Sequence, residues 1–217
     1  MSVFLQATKS GWYPQFLKAV VEEISNDINT KTVLDIGTGP GTLPQMLITQ
    51  NQSLKITGID INSKMIADAK RRTKHQNVTF LNQQPNDTTT FKSNTFDIVT
   101  FCSVLFLLDD STKKSLLGEA KRVLKPNGKI IVLTPSGKKS IISSFADVWK
   151  YPFSLHNCTF MVWKIATTSS GRKWEKQKWL SVYAAQNEMQ YSSSLTFNDN
   201  ASLEILTKQV NNKQLKK

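Results

Sequence analysis

Residues 33–43 read VLDIGTGPGTL, a short apolar run that ends in an acid and continues into three glycines at alternate positions. A near-continuous apolar run of strand length is typical of a central parallel strand. Glycines that follow such a strand and open a helix let the backbone turn sharply and approach a ligand closely. The stretch therefore predicts a ligand-binding turn between a buried strand and a helix.

Around this turn, apolar runs of strand length alternate with patterns of helical spacing. The runs predict strands over 32–36, 54–60, 77–82, 96–101 and 129–134, the last after a turn at 126–128. Helical spacing predicts helices over 13–28, 42–49, 63–74 and 111–124. Strands separated by such helices form βαβ units, so the expected class is α/β with a doubly wound, mostly parallel sheet.

The pattern changes after Pro135. Residues 140–186 hold four of the five tryptophans and predict two or three helices, with a break at 169–171. Alternating residues on both sides of a turn at 198–200 predict an antiparallel hairpin, which brings the sheet to seven strands. We therefore expect one domain over 1–217. It is divided into an N-terminal cap helix (1–30), a cofactor-binding core (31–135), a helical lid insertion (136–188) and a terminal hairpin (189–208).

Composition and charge limit the class of protein. The N-terminus carries no signal-peptide pattern and no window is apolar enough to span a membrane, which predicts a cytoplasmic protein. Two cysteines and two histidines are too few for a disulfide framework or a metal centre. The formal net charge is +12, with basic residues denser over 138–178. Such a surface is either simply solvated or binds an anionic partner.

The spacing of acids and glycines separates the classes of nucleotide ligand. Dinucleotide binders carry G-x-G-x-x-G, whereas Gly37, Gly39 and Gly41 are spaced G-x-G-x-G. Asp35 lies two residues before Gly37, where it would repel a pyrophosphate but attract a cationic group. Asp60 ends the second strand, where a carboxylate can accept both hydroxyl hydrogens of a ribose. These residues favour a nucleoside ligand with a cationic group.

At this point the chain resembles the class I (Rossmann-like) S-adenosylmethionine-dependent methyltransferases of the small-molecule type. The resemblance covers roughly 14–135. Its motifs are VLDIGTGPG at 33–41, GID at 58–60, VTF at 78–80, QQP at 83–85, FDIV at 96–99 and RVLKPNG at 122–128. The resemblance implies that S-adenosyl-L-methionine is the cofactor.

The resemblance also implies the residues of the cofactor site. Asp35 orders the glycine turn and approaches the cofactor's amino group, Asp60 holds the ribose, and Ile61 packs on the adenine. Gln84 stands where the family often has an acid for the adenine amino group, and its carbonyl can accept the same bond. The whole implied set is Asp35, Gly37, Thr38, Gly39, Asp60, Ile61, Gln84, Pro85 and Cys102.

The acceptor of the methyl group is less sharply indicated. Residues 101–106 lack both the Asn/Asp-Pro-Pro-aromatic motif of base amino-group methyltransferases and the Pro-Cys nucleophile of cytosine C5 chemistry. His156 and Tyr13 are the candidate bases. The aromatic insertion is the expected substrate lid, with Tyr151, Phe153, His156, Phe160, Met161 and Trp163 as candidate lining residues.

The favoured hypothesis is in-line transfer of a methyl group to O, N or C of a small molecule, driven mainly by positioning and without a metal. Transfer to RNA or protein is the alternative that the net charge supports. A dinucleotide-dependent oxidoreductase, or a cofactor-binding protein without catalysis, is the third. The sequence names neither the acceptor nor the oligomeric state.

Overall fold

The computed structural model describes residues 6–83, 91–148 and 155–209. The strands are β1 (Thr32–Ile36), β2 (Lys55–Asp60), β3 (Val78–Asn82), β4 (Phe96–Cys102), β5 (Leu124–Pro135), β6 (Met189–Thr196) and β7 (Ala201–Lys208). The helices are α1 (Trp12–Ser25), α2 (Thr42–Gln50), α3 (Ser63–Arg72), α4 (Asp110–Val123), α5 (Ile141–Val148), α6 (Leu155–Gln177) and α7 (Trp179–Gln186). A 3₁₀ turn, Leu105–Leu107, follows β4.

The strands form one sheet in the order β3-β2-β1-β4-β5-β7-β6. Strands β1 to β5 pair in parallel, and β7 is antiparallel to both of its neighbours, β5 and β6. The strand order reverses between β1 and β4, which is where open α/β sheets bind ligands. The predicted seven-stranded, doubly wound sheet with a terminal hairpin is confirmed.

Apolar side chains cover both faces of the sheet. On one face, Ile131 and Leu133 of β5 pack in the cluster that contains α1 and α2. On the other face, Ile130 and Val132 pack in the cluster that contains α4 and α7. Burial on both faces explains why the central strands read as continuous apolar runs. Helix α1 ends at Ser25, three residues before the predicted end.

Two predicted boundaries are wrong for identifiable reasons. The expected break at 169–171 does not occur, since α6 continues from Leu155 to Gln177. A Cβ at Gly171 would lie 2.3 Å from the carbonyl oxygen of Pro135, so this glycine permits close helix–strand contact instead of ending the helix. Strand β5 begins at Leu124 and absorbs the expected turn, with shifted pairing to β4 and a left-handed Asn127 (φ 63°).

A buried polar network ties the inserted helices to the sheet. Asp147 of α5 accepts hydrogen bonds from Lys139 (2.6 Å) and from Asn200 Nδ2 (2.9 Å) at the hairpin turn. Ser144 Oγ donates to Asn200 Oδ1 (2.8 Å). Helix α6 packs on α5 and on the 3₁₀ turn after β4, so the network places α6 beside the carboxyl ends of the strands.

Candidate functional site

A cavity of about 500 Å³ opens at the carboxyl ends of β1, β2 and β4. Its walls come from the glycine turn after β1, the end of β2, the 3₁₀ turn, one side of α4, and α6. The predicted residues among its lining are Gly37, Gly39, Asp60, Ile61, Cys102 and Trp163. The structure thus brings together side chains that lie more than 120 residues apart in the sequence.

The glycine turn is shaped by left-handed backbone at Gly37 (φ 73°), Gly39 (φ 54°) and Gly41 (φ 77°). Two amides at its start, those of Gly37 and Thr38, donate to the carbonyl oxygen of Ile59 over 2.9 and 3.0 Å. A Cβ at Gly37 would lie 2.4 Å from Val104 Cγ2. Both the positive φ and this contact require glycine, which keeps the turn narrow beneath the cavity.

Asp60 lies at the cavity edge and supports the glycine turn. Its Oδ2 accepts from the amide of Gly39 (2.9 Å), and its Oδ1 accepts from the amide of Asn62 (2.8 Å). A carboxylate has about four lone-pair sites, so each oxygen can accept one further hydrogen bond. The residue that bonds a turn amide is therefore Asp60, whereas the resemblance had assigned the ordering of the turn to Asp35.

Asp35 lies buried behind the turn and outside the cavity lining. Its Oδ1 accepts from Thr100 Oγ1 at 2.6 Å. Burial, with a smaller contribution from the nearby Asp60, outweighs the hydrogen bond from Thr100 and raises the pKa of Asp35 to about 6. Thr38 is also buried; its hydroxyl lies within electrostatic reach of the Asp35 carboxylate, but it makes no hydrogen bond of normal geometry with any described residue. A cation bound above the turn would offset the buried charge.

Apolar side chains dominate the rest of the cavity. Ile61 and Leu107 line it and are also 58% and 69% exposed, which places them at its mouth. Deeper walls carry Leu34, Ile59 and Phe106. A flat heterocycle can lie between such side chains with little polar competition.

The end of β4 supplies two polar residues to the same wall. Burial, together with the nearby Asp35, raises the pKa of the Cys102 thiol well above its ordinary value, and Cys102 packs in the apolar cluster on the α1 face of the sheet. Ser103 follows it with left-handed backbone (φ 60°), and Ser103 Oγ is buried without a hydrogen-bond partner among the described residues. Sequence reasoning missed Ser103, whose only signal was its place directly after an apolar strand.

The two candidate bases lie away from the cavity lining. Tyr13 of α1 is buried in the core, and desolvation raises the pKa of its phenol far above the ordinary value. This burial contradicts the role of Tyr13 as a base. His156 lies in the first turn of α6, where its backbone carbonyl accepts from the Thr159 hydroxyl, and it does not line the cavity. Gln84, Pro85, Tyr151 and Phe153 lie outside the described residues.

The lid aromatics divide between core and cavity. Phe160 is fully buried and packs edge-on against Trp12 at 5.6 Å between ring centroids. Met161 is partly buried against the same cluster. Trp163 contacts both the core and the cavity, since its ring centroid lies 5.2 Å from that of Trp12 and its side chain lines the cavity. Trp12 therefore belongs to the core and holds Trp163 at the site.

Two absences concern the described residues only. No group of three or more His, Cys, Asp or Glu side chains in 6–83, 91–148 and 155–209 could hold a metal ion. Among the helices in those ranges, none combines the length and hydropathy that a membrane crossing requires.

Comparison with known proteins gives the family. A profile described as a methyltransferase domain matches residues 28–187. The demethylmenaquinone methyltransferase of Thermotoga maritima is 31% identical over 168 residues, which cover 73% of this chain and 70% of that protein. The ubiquinone/menaquinone biosynthesis C-methyltransferase UbiE of Desulfotalea psychrophila is 32% identical over 126 residues, or 58% of this chain. The match spans only half the length of that enzyme.

Solved structures share the fold at lower identity. A putative S-adenosyl-L-methionine-dependent methyltransferase from Methanococcus maripaludis has a TM-score of 0.69 at 18% identity, covering 94% of this chain and 90% of that one. The plantazolicin methyltransferase BamL, solved with S-adenosylhomocysteine and a triazolic desmethylPZN analogue, has a TM-score of 0.69 at 15% identity, with coverage of 96% and 90%. These structures share the fold, while the profile match over residues 28–187 and the relative from Thermotoga maritima show that the chain belongs to the class I S-adenosylmethionine-dependent methyltransferase family.

Proposed function

We propose that this protein transfers the methyl group of S-adenosylmethionine to a small, largely apolar acceptor bound in the same cavity. The observation that carries the proposal is the division of the cavity wall. An acid and a glycine turn stand at the β2 side, and apolar and aromatic side chains from the 3₁₀ turn and α6 form the remainder. One end suits a nucleoside and the other suits an apolar ligand.

The residues fit the cofactor in three ways. Asp60 keeps acceptor capacity on both oxygens for the two ribose hydroxyls. Ile61, exposed at the mouth, provides an apolar face for the adenine. Asp35 lies buried behind the glycine turn, and its charge favours a ligand that carries cationic groups. Gln84 and Pro85 remain proposed adenine contacts on the strength of the resemblance.

The bound cofactor would supply a methyl group on a good sulfonium leaving group. The chain's contribution is to hold the acceptor in line with that methyl group and to exclude water. Trp163 and Thr167 of α6 line the same cavity as the glycine turn, so we assign the insertion 136–188 as the lid of a single domain. Residues 1–30 then act as a cap helix, 31–135 as the cofactor core and 189–208 as the sheet's terminal hairpin.

The cavity favours an acceptor that needs little help to lose a proton. Among the described lining residues, the carboxylates are Asp60, which holds two amides, and Glu119, which is paired with Arg122 (2.7 Å). His156 and Tyr13 do not line it. An acidic phenol, enol or thiol, or an amine that is neutral at working pH, meets this condition. The quinone-precursor enzymes among the relatives support an acceptor of cyclic, apolar type.

Labelled transfer tests the proposal. The protein is incubated with S-adenosylmethionine carrying a tritiated methyl group and with organic-solvent extract, total RNA or total protein from cells. We expect label in the organic-solvent fraction, lost in Asp60→Asn and retained in Asp199→Asn, a control at the exposed hairpin turn. Label confined to RNA or protein, with a steep loss of activity in added salt, would contradict the small-molecule acceptor and support the alternative that the charge suggests.

A further inference from the structure

The cavity wall contains a buried hydroxyl, that of Ser103, which has no hydrogen-bond partner among the described residues. Five buried hydroxyl oxygens in the described residues lack a hydrogen bond of normal geometry, on Thr38, Thr42, Thr73, Ser103 and Thr134. Of these, only Ser103 belongs to a residue that lines the cavity. A buried polar group without a partner is costly, so its persistence at a binding site points to a partner that arrives with the ligand.

The backbone at Ser103 is strained as well. Its φ of 60° lies in the left-handed region that side chains with a Cβ rarely adopt. Two contacts fix this backbone conformation. The Ser103 amide donates to the Leu133 carbonyl over 2.8 Å, and the next residue, Val104, packs against Gly37 in the space that a side chain there would need. Residues kept in such conformations cluster at ligand sites.

The glycine turn cannot provide the missing donor for an anionic group. Its amides are already engaged, those of Gly37 and Thr38 with Ile59, that of Gly39 with Asp60 and that of Gly41 with the Thr38 carbonyl. Residue 40 is proline and has no amide hydrogen. A carboxylate bound over this turn therefore needs a donor from another element.

We propose that the Ser103 hydroxyl donates to the carboxylate of the amino acid arm of S-adenosylmethionine. This rests on the proposed function. The ribose lies at Asp60 on β2, and β4 lies two strands away, roughly 10 Å across the glycine turn. With the adenine at the cavity mouth, the amino acid arm must extend from the ribose towards β4. Rotation about χ1 turns the hydroxyl from the wall into the cavity, a change between staggered positions.

Calorimetry with two ligands measures the contribution of the amino acid arm to the binding affinity. S-adenosylhomocysteine carries the amino acid arm, and 5′-methylthioadenosine lacks it. In Ser103→Ala and Ser103→Gly we expect S-adenosylhomocysteine to bind roughly tenfold more weakly and methylthioadenosine to bind as in the wild type. Asn127→Gly is the control, because Asn127 has nearly the same φ (63°) in the exposed, irregular start of β5.

Thermal unfolding separates binding from strain. Ser103→Gly and Asn127→Gly both relieve a positive φ and should melt at a higher temperature than the wild type. Only Ser103→Gly should lose affinity for S-adenosylhomocysteine. Unchanged affinity for S-adenosylhomocysteine in both Ser103 variants would overturn the assignment, as would an equal loss for the two ligands. A wild-type protein that binds neither ligand would instead refute the proposed function itself.

Discussion

The buried acid behind the glycine turn makes a quantitative prediction about stability. Burial raises the pKa of Asp35 from 3.8 to about 6, so the folded protein holds the Asp35 proton more tightly than the unfolded chain does. The stability contributed by Asp35 is therefore complete below pH 3.8 and is lost as pH rises to about 6. A shift of this size corresponds to about 3 kcal/mol of unfolding free energy, of which about 2 kcal/mol falls between pH ~4.5 and ~7.5.

The variant Asp35→Asn removes this titration and keeps an oxygen that can accept from Thr100. Urea unfolding of both proteins at several pH values gives the difference in their unfolding free energies, which cancels the titration of the other acids. We expect the wild type to lose about 2 kcal/mol relative to the variant from pH ~4.5 to pH ~7.5. A difference that stays constant, or one that grows in favour of the wild type as pH rises, would refute a buried Asp35 of raised pKa.

Further predictions concern the turn, the lid and the helix that crosses β5. Gly37→Ala should abolish S-adenosylhomocysteine binding in calorimetry, because its Cβ would lie 2.4 Å from Val104; retained affinity would show that the turn is not narrow. Trp163→Leu should lower methyl-transfer activity at least tenfold while S-adenosylhomocysteine affinity stays within threefold; a loss of cofactor affinity instead would remove Trp163 from the acceptor side. Gly171→Ala should lower the unfolding free energy by about 2 kcal/mol or more despite alanine's better helix propensity, because its Cβ would lie 2.3 Å from the Pro135 carbonyl. Gly118→Ala in α4, where nothing lies within 4 Å, should raise it by about 0.5–1 kcal/mol, and equal effects of the two substitutions would contradict the packing at Gly171.

Much of the fold is readable from the sequence because it depends on local pattern. Strand β1 is a near-continuous apolar run, interrupted at Asp35, because both of its faces are buried. The glycine turn is readable because a left-handed backbone demands glycine. The break expected at 169–171 does not occur, because Gly171 is required for close contact with Pro135. The two residues are 36 positions apart, so no local sequence pattern indicates this contact.

The site is less readable than the fold. Asp60 could be located because it ends a strand beside the glycine turn. Tyr13 looked like a candidate base next to the site, yet helical spacing could not show that its phenol turns into the core. Ser103 carries no motif, and its significance lies in a backbone angle and an unpaired hydroxyl. Such features depend on how β4, β5 and the glycine turn meet in three dimensions.

A calorimetric titration of the wild-type protein with S-adenosylhomocysteine, with NAD as the comparison ligand, tests the cofactor assignment most directly. We expect saturable binding of one S-adenosylhomocysteine per chain and no binding of NAD, since Asp35 and the G-x-G-x-G spacing disfavour a pyrophosphate over the turn. Binding of NAD without binding of S-adenosylhomocysteine would contradict that assignment.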